Sequence, residues 1–194
     1  SKTGIAGISH QYLIDNSSYT KFTLAASYVM NSDLIDSISP ETYDPVPYYS
    51  QNFTQTKIAG NFFYKKKFNT KHNLQIGVRF DEFLVDIVDS IYRSTIDRYI
   101  TLTEYDGNTF LLQPYAQYQY RVSDKMSLNA GLHYQYLGLN GSSSLEPRAG
   151  VKYQINEKNA VSFGYGLHSM MAPIATYFKT VEAGVGNYIT PNDS

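Results

Sequence analysis

Between residues 109 and 170, apolar and polar side chains alternate with a period of two, and this limits what the chain can fold into. Met126, Leu128, Ala130, Leu132, Tyr134 and Tyr136 form one series, with Ser127, Asn129, Gly131, His133 and Gln135 between them. Leu145, Pro147, Ala149, Val151, Tyr153 and Ile155 repeat the device against Glu146, Arg148, Gly150, Lys152 and Gln154. Successive side chains of a strand point to opposite faces, so each run has one apolar face and one polar face. The apolar face can meet a protein core or lipid.

The same period runs through the rest of the chain. Residues 4–14, 19–31, 53–68 and 74–80 alternate in the same way, which gives about eight strands with residues 110–121, 126–136, 145–155 and 161–168. Asp15-Asn16-Ser17-Ser18, Asn69-Thr70-Lys71-His72, Ser123-Asp124-Lys125 and Asn156-Glu157-Lys158-Asn159 have turn chemistry. Asn140-Gly141-Ser142-Ser143 separates the sixth and seventh runs. Two connections read as long. Residues 32–52 hold Pro40, Pro45 and Pro47, which deny ladder hydrogen bonds, and residues 89–108 contain the turn signal Asp106-Gly107. After Phe80 the phase slips, because Phe83, Val85 and Ile87 are apolar while Glu82 and Asp86 are not. The expectations are a β-bulge near Asp81-Glu82 or a strand that has left its buried layer.

The expected fold is therefore all-β: an antiparallel up-and-down meander of about eight strands. In such a meander alternate connections share an end. Short turns gather at one end and long connections at the other, as in bacterial transmembrane barrels. Tyr12, Tyr64, Phe68, Tyr120 and Tyr153 fall near the short-turn end, where an interfacial aromatic girdle would lie. The 19 Tyr and 10 Phe favour β-structure. No run approaches the roughly 18 apolar residues of a transmembrane helix, but a transmembrane strand needs only about 10 with alternate ones apolar. A net charge of −1 provides no global basic field for nucleic acid. The absence of Cys removes disulfides, thiolate metal sites and thiol nucleophiles.

Catalytic signals are weak, and no enzyme activity is expected. His10, His72, His133 and His168 show no metal-ligand spacing. Ser9-His10 and His168-Ser169 are neighbours that point to opposite faces of a strand, so neither pairs a nucleophile with a base. Gly164-x-Gly166 lies within a strand, and no phosphate loop or nucleophile elbow is present. Asp81, Glu82, Asp86 and Asp89 supply oxygens that suit calcium, but a solvated strand extension fits their spacing better. Lys65-Lys66-Lys67 reads as a hydrated turn or a contact with anionic headgroups. No cofactor is expected. The candidate ligand contacts are Tyr43, Tyr48, Tyr49 and Phe53 in the first long connection, because aromatic side chains give rigid contact area at low entropic cost. Gln117, Arg121, Glu146, Arg148 and Lys152 lie on the polar face, where they would meet water or an enclosed domain.

The segment Leu145-Glu146-Pro147-Arg148-Ala149-Gly150-Val151-Lys152-Tyr153, followed by Val161-Ser162-Phe163-Gly164-Tyr165-Gly166-Leu167-His168, resembles the barrel of TonB-dependent outer-membrane receptors. The Glu-Pro-Arg strand and the glycine-rich strand after it resemble the branch found in Bacteroidetes, as does the hairpin of residues 1–31 with its Gly4-Ile5-Ala6-Gly7 opening. The resemblance covers essentially the whole chain and part of the family's architecture. It implies that residues 1–194 are an internal section of a 22-stranded barrel, with the plug domain and remaining strands elsewhere, and that residues from 172 onward form a third outer loop. It also implies a bacterial outer-membrane location, lipid around the wall, and TonB acting on the plug. The implied cargo is a scarce solute: an iron chelate, cobalamin, a glycan or a peptide. Without the resemblance, a soluble β-sandwich or small-barrel binding module, for example for carbohydrate, and a complete eight-stranded outer-membrane protein stay open.

Overall fold

The computed structural model describes residues 1–178 and the two-residue strands Val181–Glu182 and Tyr188–Ile189. Eight strands pair in chain order into one antiparallel sheet: β1 (Lys2–Asp15), β2 (Ser18–Ile38), β3 (Pro45–Lys67), β4 (His72–Arg93), β5 (Arg98–Arg121), β6 (Met126–Leu137), β7 (Ser143–Gln154) and β8 (Ala160–Gly166). The expected meander is therefore the observed one. The sheet is open, since among the described residues β1 and β8 each pair along one side only. A short 3-10 helix, η1 (Ile174–Phe178), follows β8.

The turns after β1, β3, β5 and β7 lie at what we call the proximal end, and those after β2, β4 and β6 at the distal end. The asymmetry between the ends differs from the expected one. Residues 32–52 are not a loop: β2 continues to Ile38, β3 starts at Pro45, and only residues 39–44 connect them. The prolines are tolerated because the β3–β4 ladder begins at Tyr49. Pro45 and Pro47 pair with β2 alone, so their missing N–H leaves no gap on the β4 side. Residues 89–108 are likewise mostly ladder, closed by a turn at 94–97 with Asp97 at φ 49°. Asp106-Gly107 makes no turn, since it pairs with Asp86 and Val85 in mid-strand. The glycine answers a packing demand instead: a Cβ there would lie 2.6 Å from the Tyr105 hydroxyl, so a side chain at 107 would displace that ring. The asymmetry thus resides in strand length, with 21–24 residues in β2 to β5 against 12 in β6 and β7.

No bulge occurs at Asp81-Glu82, and pairing runs unbroken from Tyr49↔Ile91 to Lys67↔Asn73. The phase slip is a reversal of polarity at constant register. On the proximal side, Phe22, Phe62, Ile76, Val78, Phe80, Leu132, Phe163 and Tyr165 share one face, and most of them are exposed. On the distal side that face carries Thr54, Asp86 and Asp106 in one row and Thr56 and Asn108 with Leu84 in the next. The opposite face now bears Phe83, Val85, Ile87, Leu111 and Leu137, all buried. They are covered by Ile174 and Phe178 of η1, and Tyr105 stacks on Phe178 with ring centroids 3.8 Å apart. The segment from residue 172, expected as a third outer loop, packs over this distal face as far as 178. Its continuation is outside the described residues, except for the two short strands.

Candidate functional site

Directly paired residues share a face, and register therefore assembles the site. The row Gly77↔Tyr115↔His133↔Glu146 lies beside Gln75↔Gln117↔Gly131↔Arg148, with Arg121↔Ser127↔Lys152 nearer the proximal end. Gln117, Arg121, Glu146, Arg148 and Lys152 thus all occupy the polar face. Tyr115 lies across Gly77, where a Cβ would come within 2.7 Å of the Tyr115 hydroxyl and of the Phe62 carbonyl oxygen. Gln75 Nε2 donates to that hydroxyl at 3.2 Å.

Two buried carboxylates organise this face. Glu146 is 2 % exposed. Its Oε2 accepts from Arg148 Nη2 at 2.7 Å and lies 3.1 Å from His133 Nδ1. Its Oε1 accepts from the Ser169 backbone N–H at 2.9 Å and from Ser169 Oγ at 2.5 Å. Gln135 Nε2 donates to the same Ser169 hydroxyl. Glu146 therefore spends its acceptors within this chain and fastens the strap of residues 167–178 across the sheet. The carboxylate also stands between His133 and Ser169, so the three groups hold a strap and form no nucleophile–base pair. Asp81, equally buried, pairs with Lys57 Nζ at 3.0 Å and Arg79 Nε at 3.4 Å, while its Oδ1 has no partner in the structure. The Lys57 ammonium lies 5.1 Å from the Phe83 ring centre, at the boundary between the polar rows and the distal apolar cluster.

A hollow of about 520 Å³ opens beside these groups. Arg79, Arg148, His133, Gln75, Gln113 and Gln117 contribute its polar lining, and among the described residues no carboxylate lines it.

The four aromatics of the first connection are not brought together. Tyr43, at φ 59°, and Tyr48 stand exposed at the distal tip. Phe53 packs against the apolar cluster. Tyr49 is half-buried beside Asp89. Burial first, and then the hydrogen bond and charge of Asp89, push its phenol up to about 12. The acidic stretch is split as well, with Asp81 and Asp89 on the polar face and Glu82 and Asp86 on the other. No cluster of three metal-ligating side chains occurs among the described residues.

The proximal aromatics share the apolar face. Tyr12, Tyr64, Tyr120 and Tyr153 lie in its rows, His72 stacks on Tyr120 at 4.7 Å, and Phe68 follows at the turn. At the first proximal turn, hydrogen bonds from Ser17 and then Lys66 hold the Asp15 carboxyl well below the usual carboxylate range. One lysine of the Lys65-Lys66-Lys67 run thus has a turn carboxylate as its partner.

Sequence reasoning missed Lys57, Arg79 and Ser169. The first two were within reach: counting back from the short turn pairs Ala59 with Asp81, which sets Lys57 diagonally across from the acid. Ser169 was not, because it follows β8 in a segment with no ladder to fix it.

A family model described as TonB dependent receptor-like, beta-barrel, matches residues 2–193. No curated protein and no solved structure matches the chain significantly.

Proposed function

Because the chain belongs to the TonB-dependent receptor-like β-barrel family, we propose that it forms part of the wall of an outer-membrane receptor that takes up a scarce solute with energy delivered through TonB. The carrying observation is the exposed proximal apolar face. Between His72 and Glu82 the outward side chains of β4 are apolar apart from His72 itself and Glu82, which bracket the stretch. That is about the 10 residues that a tilted strand needs to cross a bilayer. Towards its proximal rim the same face carries Tyr12, Tyr64, Tyr120 and Tyr153, side chains of the kind an interfacial girdle uses. A β-sandwich would cover this face with a second sheet. Among the described residues the other sheet is the two-residue pair β9 (Val181–Glu182) and β10 (Tyr188–Ile189).

An open sheet edge cannot stand in hydrocarbon, because each unpaired backbone group there costs several kcal/mol. The unpaired edges of β1 and β8 therefore call for neighbouring strands. In this reading residues 1–194 contribute one section of a barrel domain, and a plug domain gates the lumen behind the polar face. The cargo is an iron chelate, cobalamin, a glycan or a peptide, first met by Tyr43 and Tyr48 at the distal tip. Branch membership in Bacteroidetes belongs to the same proposal and rests on the Glu-Pro-Arg and glycine-rich strands. The test is fractionation of the full-length protein. It is expected in the outer-membrane fraction, released only by detergent. Recovery of the chain as a detergent-free soluble monomer would overturn the reading.

A further inference from the structure

On the outward apolar face, β5 to β8 leave a hollow of about 480 Å³, the size of a small-ligand site. Register builds it. One outward row runs Tyr118↔Ala130↔Ala149↔Tyr165, and the next towards the proximal end runs Tyr120↔Leu128↔Val151↔Phe163. The two alanines make a low floor on β6 and β7. On either side stand the rings of β5 and β8, three strand spacings or about 14 Å apart. Asn129 and Gly150 also border the hollow, but they pair with each other in a row of the opposite face. Both walls belong to this chain, so strands that continue the sheet past β8 do not enter the slot.

The β5 wall is braced. His72 stacks on Tyr120 with ring centroids 4.7 Å apart, and its Nδ1 lies 2.5 Å from the Tyr118 hydroxyl. These rings are placed before anything binds, which lowers the entropic cost of binding. At the proximal mouth the β5–β6 and β7–β8 turns meet, where the Gln154 N–H donates to the Lys125 carbonyl at 2.7 Å. The turns carry the exposed Lys125 and Lys158, each next to an acid, Asp124 and Glu157. From Lys125 to Ala130 is roughly 16 Å of strand at about 3.3 Å per residue. The feature thus runs from a charged rim into an apolar slot, which is the order of groups along a glycerophospholipid.

We infer that this hollow seats one acyl chain of a glycerophospholipid from the leaflet on the proximal side, with the headgroup at the Lys125 and Lys158 turns. The inference rests on the pore-wall reading above and adds an ordered lipid to its lipid-facing surface. A chain lying in the slot meets rings on two sides and the alanine floor beneath, so dispersion contacts accumulate that a flat wall does not offer.

The test uses the full-length receptor in detergent, after fractionation has settled whether it is an outer-membrane protein. Native mass spectrometry counts the molecules of palmitoyl-oleoyl phosphatidylethanolamine that survive activation. One is expected to stay on the parent after the rest have been stripped. Ala130→Phe and Ala149→Phe each put a ring into the slot from an exposed position. Each should weaken retention about tenfold, the equivalent of roughly ten dispersion contacts. Leu132→Phe, on the same face but outside the lining, should retain lipid like the parent. A parent that keeps no lipid, or retention in both alanine variants equal to the parent's, would sink the inference and leave the wall reading intact. So would displacement by glycerophosphoethanolamine, which has the headgroup and no chain. A receptor dimer that Ala130→Phe disperses would assign the slot to a second copy of the wall and overturn the lipid.

Discussion

The two ends of β4 place similar side chains on opposite faces. From Leu74 to Phe80 the apolar positions point away from the site, and from Phe83 to Ile87 they point towards it, with no slip in register between them. Hydrophobicity therefore does not mark the inside of this sheet. It marks whichever side lacks water: lipid on the proximal apolar face in the proposed reading, and η1 on the distal polar-side face. Asp81 and Glu82 stand at the crossover. Asp81 faces the site and pairs with Lys57, while Glu82 faces outward and accepts from Asn108 Nδ2 at 2.7 Å. Above Glu82, β4 continues to Arg93, roughly 35 Å of strand at about 3.3 Å per residue. In the proposed reading the wall thus extends well beyond the bilayer, with the distal apolar cluster as its own core.

The largest effect is expected where the strap is fastened. Glu146→Gln presents an amide to Arg148 and His133 and removes the buried charge that Arg148, Ser169 and His133 converge on. Each charge-assisted hydrogen bond lost at the buried carboxylate costs about 1.5–3 kcal/mol. The loss should fall on the strap, because Ser169 is its first anchor. Limited chymotrypsin digestion of the folded receptor should then cut at Tyr177 or Phe178, both of which the parent protects by packing. Equal protection in the variant would mean that η1 holds the strap unaided.

The comparison itself is broken or upheld by paired substitutions along β4. Ile87, at 0 % exposure, points into the distal cluster, so Ile87→Ala is expected to cost about 2–5 kcal/mol as a cavity. Leu84 faces outward among polar neighbours, and Leu84→Ala should change stability by no more than about 0.5 kcal/mol. At the proximal end the dependence reverses. In the proposed reading Val78→Arg puts a charge on the lipid side at a cost of roughly 2–4 kcal/mol near the midplane, while Gln75→Arg on the polar face should cost about 1 kcal/mol, the scale of its hydrogen bond to Tyr115. Unfolding of the four variants in lipid vesicles measures all of this. If Leu84→Ala proved as costly as Ile87→Ala, the polarity would not reverse.

How far the sequence could be read follows the same division. At the proximal end alternation, turn chemistry and register coincide, and the rows of Gln117, Arg148 and Lys152 follow from counting. At the distal end the local signals conflicted with the fold. Prolines 45 and 47 suggested a loop because their edge position is invisible without the β4 partner. Asp106-Gly107 suggested a turn because its glycine answers the Tyr105 ring, a demand of packing. The reversal at Asp81 resembled a bulge, since a one-residue slip and an exchange of environments leave the same pattern in sequence. What exchanged the environments was η1, about ninety residues later in the chain.

The smallest expected effect sharpens the contrast at its distal limit. Tyr49 sits beside Asp89 on the inward face, and its phenol is raised to about 12 from an ordinary 10. A tyrosine with a raised folded value is favoured in its neutral form by folding. Its contribution is complete below the unfolded value near pH 10 and is lost as pH rises towards 12. Stability should therefore fall over that interval, and Tyr49→Phe should reduce the slope against the background of the chain's 19 tyrosines. Asp89→Asn separates the two causes. Burial is the larger and survives the change, so the variant should recover only part of the shift and titrate between the parent value and 10. Full return to 10 would assign the shift to the carboxylate alone and would leave the distal inward face wetter than its apolar cluster implies. Difference spectra of the phenolate for the parent, Tyr49→Phe and Asp89→Asn receptors decide between the two.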